Sequence, residues 1–287
     1  MCRFRERLYL CYREASAHVS PDGVINLLMM QDIDSWANSH VFTIDNMDLR
    51  DPKLFVWPDG SLCLLAAGVV RERNKPILLN NYVWHSADGE EWHGPFLVAE
   101  QDMWLWRVTW RDGYGYGLGY CVGARREQPR FVSLYRTTDG LDYELWVDHV
   151  FAEGYPNEHG MIFDDDGRAW CLLRRDDESL TAMLGSAMPP YKDWAWRPLG
   201  VLLGGPQMLR GPDGRVWVGA RLYDGVIRTS LCTLDLASAK LDEVLVLPSG
   251  GDCSYPDMAW LENGDMLMSY YSSHEGSSRV YVATIRA

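Results

Sequence analysis

The stretch Pro52-Lys53-Leu54-Phe55-Val56-Trp57-Pro58-Asp59-Gly60-Ser61-Leu62-Cys63-Leu64 reads as a β-hairpin: an extended apolar run, an Asp-Gly turn, then an alternating apolar strand. The same unit returns around Gly113, Gly167, Gly214 and Gly264, in steps of 53, 54, 47 and 50 residues from Gly60. One step before Gly60 lies a weaker copy around Glu6, in Phe4-Arg5-Glu6-Arg7-Leu8. No long window carries a helical period. Six units of about fifty residues, each a hairpin followed by more strand, predict an all-β chain forming a six-bladed β-propeller of four-stranded blades. The repeat fills residues 1–287 as one domain, with a first blade that lacks room for its initial strand.

Composition agrees with this reading. Hydrophobic residues make up 47% of the 287 residues and charged ones 23%, enough apolar surface for a sizeable core. Thirteen Trp, 15 Tyr and 26 Gly suit short strands and tight turns. The net charge of -13 argues against nucleic acid, which needs a basic footprint. Four of the 27 basic residues are lysines, so the chain is rich in guanidinium, the usual partner of carboxylates. The longest apolar run, about residues 62–70, is too short to span a membrane, and the N-terminus carries no secretory signal, so the chain as given reads as cytoplasmic. Seven cysteines without a CxxC pair read as reduced core residues.

A second signature, Ser86-Ala87-Asp88-Gly89-Glu90-Glu91-Trp92, recurs as Thr137-Thr138-Asp139-Gly140-Leu141-Asp142-Tyr143 and in part as Ser20-Pro21-Asp22-Gly23. The hydroxyl and Asp can bond the turn backbone, and the aromatic can pack between neighbouring sheets, a structural role. These turns resemble the Asp-box repeats of sialidases and related six-bladed propeller glycosidases, and the resemblance covers essentially the whole chain.

That resemblance implies roles for polar residues outside the boxes. Glu158, in Tyr155-Pro156-Asn157-Glu158, is similar in place to the family's Glu before an inner hairpin, and Leu173-Arg174-Arg175 to the Arg about sixteen residues later. Arg221 follows one blade on, and Tyr255 opens the last blade. The family's first Arg, in an Arg-Ile-Pro motif, has no counterpart. Its general acid falls near His18 or at Asp51, in Arg50-Asp51-Pro52.

The implied activity is exo-hydrolysis of a terminal sialic-acid-type sugar with retention through a tyrosyl intermediate, without metal or cofactor. A carboxylate nucleophile would repel the substrate's own carboxylate, which is why such enzymes use Tyr. A Tyr with an ordinary pKa near 10 then needs a neighbouring base. Tyr255 and Glu158 form the candidate couple, with Asp51 as acid. Arg13, Arg50, Arg107, Arg175 and Arg221, with His18 and Tyr271, are candidate contacts to the glycan and its carboxylate. Tyr270 and Tyr271 rival Tyr255 on alternating strand faces. Two other readings stay open. Arg50-Asp51-Pro52 is similar to the Arg-Asp-Pro motif of furanosidase propellers, in which Asp51 and Glu158 would work as a carboxylate pair. A carbohydrate-binding propeller without catalysis would keep the scaffold alone.

Overall fold

The computed structural model describes residues 1–73, 75–122, 129–177 and 181–286. They form six successive antiparallel sheets with no helix among the described residues, the six-bladed β-propeller class. None offers a helix long and apolar enough to cross a membrane. By its contacts the chain divides into two compact units, Met1–Val150 and Phe151–Ala287, each carrying three sheets.

In the first unit, sheet one joins β1 (Cys2–Phe4), β2 (Arg7–Glu14), β3 (Val24–Asp32) and β4 (Ser35–Phe42). Its initial strand spans three residues, and the weak repeat at Glu6 closes a two-residue loop between Phe4 and Arg7. Sheet two joins β5 (Asp48–Val56), β6 (Leu62–Glu72), β7 (Lys75–Ser86) and β8 (His93–Val98). Sheet three departs from the four-stranded expectation. Its inner strand breaks into β9 (Met103–Leu105) and β10 (Thr109–Arg111), both pairing β11 (Tyr114–Cys121), and β12 (Val132–Thr137) and β13 (Glu144–Phe151) complete it. The break falls at 106–108, where the Trp106 amide still donates to the Leu118 carbonyl at 3.1 Å.

The second unit holds sheet four, β14 (Pro156–Phe163), β15 (Ala169–Arg175), β16 (Met183–Ala187) and β17 (Ala195–Pro198). Sheet five joins β18 (Leu203–Arg210), β19 (Val216–Leu222), β20 (Arg228–Asp235) and β21 (Lys240–Val246). Sheet six has three described strands rather than four: β22 (Cys253–Trp260), β23 (Met266–Ser272) and β24 (Arg279–Ile285).

The repeated turns share one geometry. The amide of Gly60 donates to the Trp57 carbonyl at 2.9 Å, and Gly167, Gly214 and Gly264 repeat that bond to residues 164, 211 and 261 at 3.0, 2.9 and 3.1 Å. The second signature also repeats atom for atom. Ser86 Oγ accepts the Gly89 amide and Asp88 Oδ1 the amides of Glu90 and Glu91; Thr137 and Asp139 do the same for Gly140, Leu141 and Asp142. Gly140 has φ +73, and a Cβ there would lie 2.2 Å from the Trp57 indole nitrogen. The box thus needs glycine both for its backbone and for contact with the second sheet.

Cores lie between successive sheets inside each unit. Leu27, Phe42, Leu54 and Leu64 pack between sheets one and two, and Leu172, Met208, Val218 and Cys232 between sheets four and five. Each buried side chain of this size contributes about 1.5–3 kcal/mol. Polar pins hold the next seams, between sheets two and three and between sheets five and six. Asn81, wholly buried, donates to the Met103 carbonyl at 2.7 Å and accepts the Leu105 amide at 2.9 Å. In the second unit, Gln207 donates to Asp257 at 2.9 Å. All seven cysteines are free thiols, and burial pushes that of Cys232 up to about 12.

Candidate active site

The inner strands are interrupted by bulges, which re-aim side chains without ending the pairing. Register shifts fall between Arg50 and Lys53, Pro156 and His159, Gly204 and Gln207, and Ser254 and Asp257. Asp51 and Tyr255 both have φ 49 and precede a proline, a backbone state that non-glycine residues enter only at a cost. Asp51, Glu158, Gly205 and Tyr255 each stand nine residues before a turn glycine, at 60, 167, 214 and 264. The repeat therefore delivers these four positions to one station on their respective blades.

In the second unit three of those stations meet. The Tyr255 hydroxyl donates to Glu158 Oε1 at 2.8 Å. Arg174 Nη1 pairs with Glu158 Oε2 at 2.8 Å, and the Gly205 amide donates to the same oxygen at 2.8 Å. Behind the carboxylate, Asn157 closes the bulge by accepting the Glu158 amide at 2.7 Å and donating to the Tyr155 carbonyl. Glu158 is buried, which alone would raise its pKa. The charge of Arg174 and the hydrogen bonds from Arg174, Tyr255 and Gly205 outweigh burial and hold it below the ordinary carboxylate range. Glu158 is thus an ionised acceptor at neutral pH, aimed at a phenol.

Arg174, not Arg175, is the guanidinium at this carboxylate. It shares the strand face of Leu172, which packs toward sheet five, and its Nε reaches Asp176 at 2.8 Å. Arg175 points the other way, donating to the Thr181 carbonyl at 2.6 Å beside the Phe151 ring. The alternation of a strand makes the two neighbours unable to do the same job.

Arg221 and Tyr271 converge on Asp252. Arg221 Nη1 lies 3.5 Å from Asp252 Oδ1 and donates to the Cys253 carbonyl, while the Tyr271 hydroxyl donates to Asp252 Oδ1 at 2.8 Å. The Tyr271 ring lies 5.7 Å from that of Tyr255. Burial would lower the pKa of Arg221, yet nearby tyrosines, Tyr223 and Tyr271 foremost, raise it. Tyr270, the rival nucleophile, is buried in the apolar core and donates to the Pro248 carbonyl at 2.9 Å.

Gly205 makes the Tyr255–Glu158 contact possible. Its φ is +58, and a Cβ would fall 2.6 Å from Ser254 Oγ and 2.7 Å from Tyr255 Cδ1. Gly205→Ala is expected to cost about 1–3 kcal/mol of stability. It should also lower turnover by displacing the tyrosine. Urea unfolding alongside activity checks this, and an alanine variant matching the parent in both would remove Gly205 from the argument.

The other candidate residues lie in the first unit. Arg13 and Arg50 are ion-paired to Asp48, a residue that sequence reasoning passed over, as is Arg71. His18 is exposed and its carbonyl accepts Arg50 Nη1 at 2.9 Å. The Asp51 carbonyl accepts Lys53 Nζ at 3.1 Å, and Lys53 sits 4.0 Å over the Trp106 ring. Arg107 lies half-buried in the connection between β9 and β10. Among the described residues, no three His, Cys, Asp or Glu side chains are arranged to hold a metal ion.

No family model matches the chain, and no curated protein sequence matches it. Solved structures match its fold. A protein of unknown function from Dyadobacter fermentans DSM 18053 is similar at TM-score 0.84 and 18% identity, over 99% of this chain and 93% of its own. A Hadza microbial sialidase is similar at TM-score 0.72 and 13% identity, over 98% of this chain and 63% of its own. The α-L-arabinanase of Penicillium chrysogenum, solved with arabinobiose, is similar at TM-score 0.70 and 13% identity, over 91% of this chain and 85% of its own. At these identities the likeness is one of fold.

Proposed function

We propose that the chain is a propeller glycoside hydrolase that releases a terminal sugar bearing a carboxylate, of the sialic-acid type, with retention of configuration. The observation that carries this reading is the 2.8 Å hydrogen bond from the Tyr255 hydroxyl to the buried, ionised Glu158. A phenol is a poor nucleophile until a base accepts its proton, and Glu158 is placed to accept it. In the first step the Tyr255 oxygen bonds to the anomeric carbon, the glycosidic C–O bond breaks, and the phenolic proton passes to Glu158. The departing oxygen takes a proton from an acid, a role that Asp51 holds on the sequence argument alone. Water then adds to the anomeric carbon while its proton passes to the carboxylate left by the acid, the tyrosyl–sugar bond breaks, and the phenol takes back its proton from Glu158. Arg221, the guanidinium beside Tyr223 and Tyr271, is assigned to the substrate carboxylate.

The carboxylate-pair reading is supported by Asp51 occupying the station that Glu158 occupies on its own blade, and by the arabinanase fold likeness. It is weakened by the partners of Glu158: both oxygens are committed to Tyr255, Gly205 and Arg174, which leaves neither free to attack, and its lowered pKa does not suit a general acid.

The test is hydrolysis of a 4-methylumbelliferyl α-sialoside, with the configuration of the first-formed sugar followed by NMR. Turnover with retention is the expected result. Cleavage of a 4-methylumbelliferyl arabinofuranoside with none of the sialoside would replace this reading by the carboxylate-pair one.

A further inference from the structure

We propose that the first unit carries a binding site for a tetrahedral dianion, a phosphoryl or sulfuryl group, formed by Arg13, Arg50 and Arg71 around Asp48. The proposal goes beyond the glycosidase reading and uses none of the residues of the Tyr255–Glu158 cluster.

Three strands contribute. Arg13 lies near the end of β2, Arg50 on β5 and Arg71 on β6. Asp48 Oδ1 accepts Arg13 Nε at 3.0 Å and Nη2 at 2.8 Å; Asp48 Oδ2 accepts Arg50 Nη1 and Arg71 Nε, each at 3.3 Å. The Asp48 side chain is 0% exposed, and those of Arg13, Arg50 and Arg71 are 16%, 11% and 12% exposed. Among the described residues, three cations therefore share one ion-pair partner in a largely enclosed place, two positive charges more than negative ones. Enclosed charge is costly unless it is paired. In a chain of net charge -13 this excess is a local feature with no counterpart in the overall balance.

The donor inventory points the same way. Backbone carbonyls absorb part of it: Ala17 accepts Arg13 Nη1 and Nη2, and His18 accepts Arg50 Nη1. Arg50 Nε is buried without a partner. Among the described residues, Arg71 bonds to protein only through Nε, so both of its Nη groups remain as donors. Asp48 thus fixes the guanidinium planes without saturating them. Planar forks held in this way match the oxygens of a phosphoryl or sulfuryl group. Charge selects the class: a dianion cancels the excess, whereas a single carboxylate would leave one positive charge enclosed.

The experiment is calorimetric titration of the full chain at constant ionic strength with inorganic phosphate, sulfate, acetate and glucose 6-phosphate. Saturable binding of phosphate and sulfate is expected, with acetate at least about tenfold weaker. Glucose 6-phosphate binding more tightly than phosphate would identify a phosphorylated sugar as the ligand, and equal affinity the free ion; both support the site. Arg71→Met should weaken phosphate at least about tenfold. Arg71→Lys, which keeps the charge and loses the fork, should weaken it by less, and melting curves of both variants without anion establish that they fold. Three results would each overturn the proposal: no saturable phosphate binding, acetate equal to phosphate, or folded Arg71 variants that bind as the parent does. None of these readouts depends on glycosidase turnover, so failure here and failure of the sialoside assay are separable.

Discussion

Tyr255→Phe is expected to lower kcat/KM on a sialoside by about 10³-fold or more, because it removes the nucleophilic oxygen and keeps the ring. The ring contact with Tyr271, at 5.7 Å between centroids, does not involve the hydroxyl, so the variant should fold as the parent does. What it loses chemically is the hydroxyl that donates to Glu158 Oε1. Glu158→Gln removes the proton acceptor and should cost about 10²–10⁴-fold. The pH dependence gives a second, independent check. Glu158 must be ionised to accept the phenolic proton, and its pKa lies below the ordinary 4.5, so the acid limb of kcat/KM should fall below that value. In Glu158→Gln that limb should disappear. A Tyr255→Phe variant retaining activity within tenfold of the parent would sink the tyrosyl intermediate and leave the fold without its proposed chemistry.

The residues behind this chemistry differ in how readable they were. The turn glycines at 60, 113, 167, 214 and 264 carry a local signal, Asp-Gly or Asn-Gly chemistry between alternating strands, and local signals survive into the fold. Glu158 and Tyr255 were legible through their resemblance, in order along the blades, to the sialidase pattern; the structure adds that each stands nine residues before its turn glycine. Arg174 was missed in favour of Arg175 for a reason internal to strands: a shift of one residue changes the face, and the bulge at Asn157–Glu158 that sets which face matters leaves no mark in the sequence. Asp48 was invisible because its partners Arg13, Arg50 and Arg71 come from three strands, and no spacing rule brings them together. The split of the third inner strand at residues 106–108 was hidden by its aromatic content, which reads as continuous strand.

Arg174→Met is expected to be the most destabilising change at the site, by about 3–5 kcal/mol near neutral pH, since it strands a buried carboxylate. Glu158 would keep the Tyr255 hydroxyl and the Gly205 amide, two donors without a charge. Asp176, the other partner of Arg174, has a side chain 39% exposed and can be solvated in its absence. The sign of the pH effect follows from the direction of the shift. In the parent, Glu158 has a folded pKa below the unfolded 4.5, so its stabilisation is fully present above that value and is lost as pH falls through the lower folded one. In Arg174→Met burial is no longer offset by a cation and the folded pKa rises, so the variant is penalised most where the unfolded carboxylate is ionised. The gap between parent and variant in urea unfolding should therefore narrow as pH is lowered from neutrality toward 4.5. The double variant Arg174→Met with Glu158→Gln removes the stranded charge and should recover most of the loss, as neighbouring sites that share one interaction are not additive. If the double variant is as unstable as Arg174→Met alone, Arg174 holds the blade by packing, and the ionised state of Glu158 has another source.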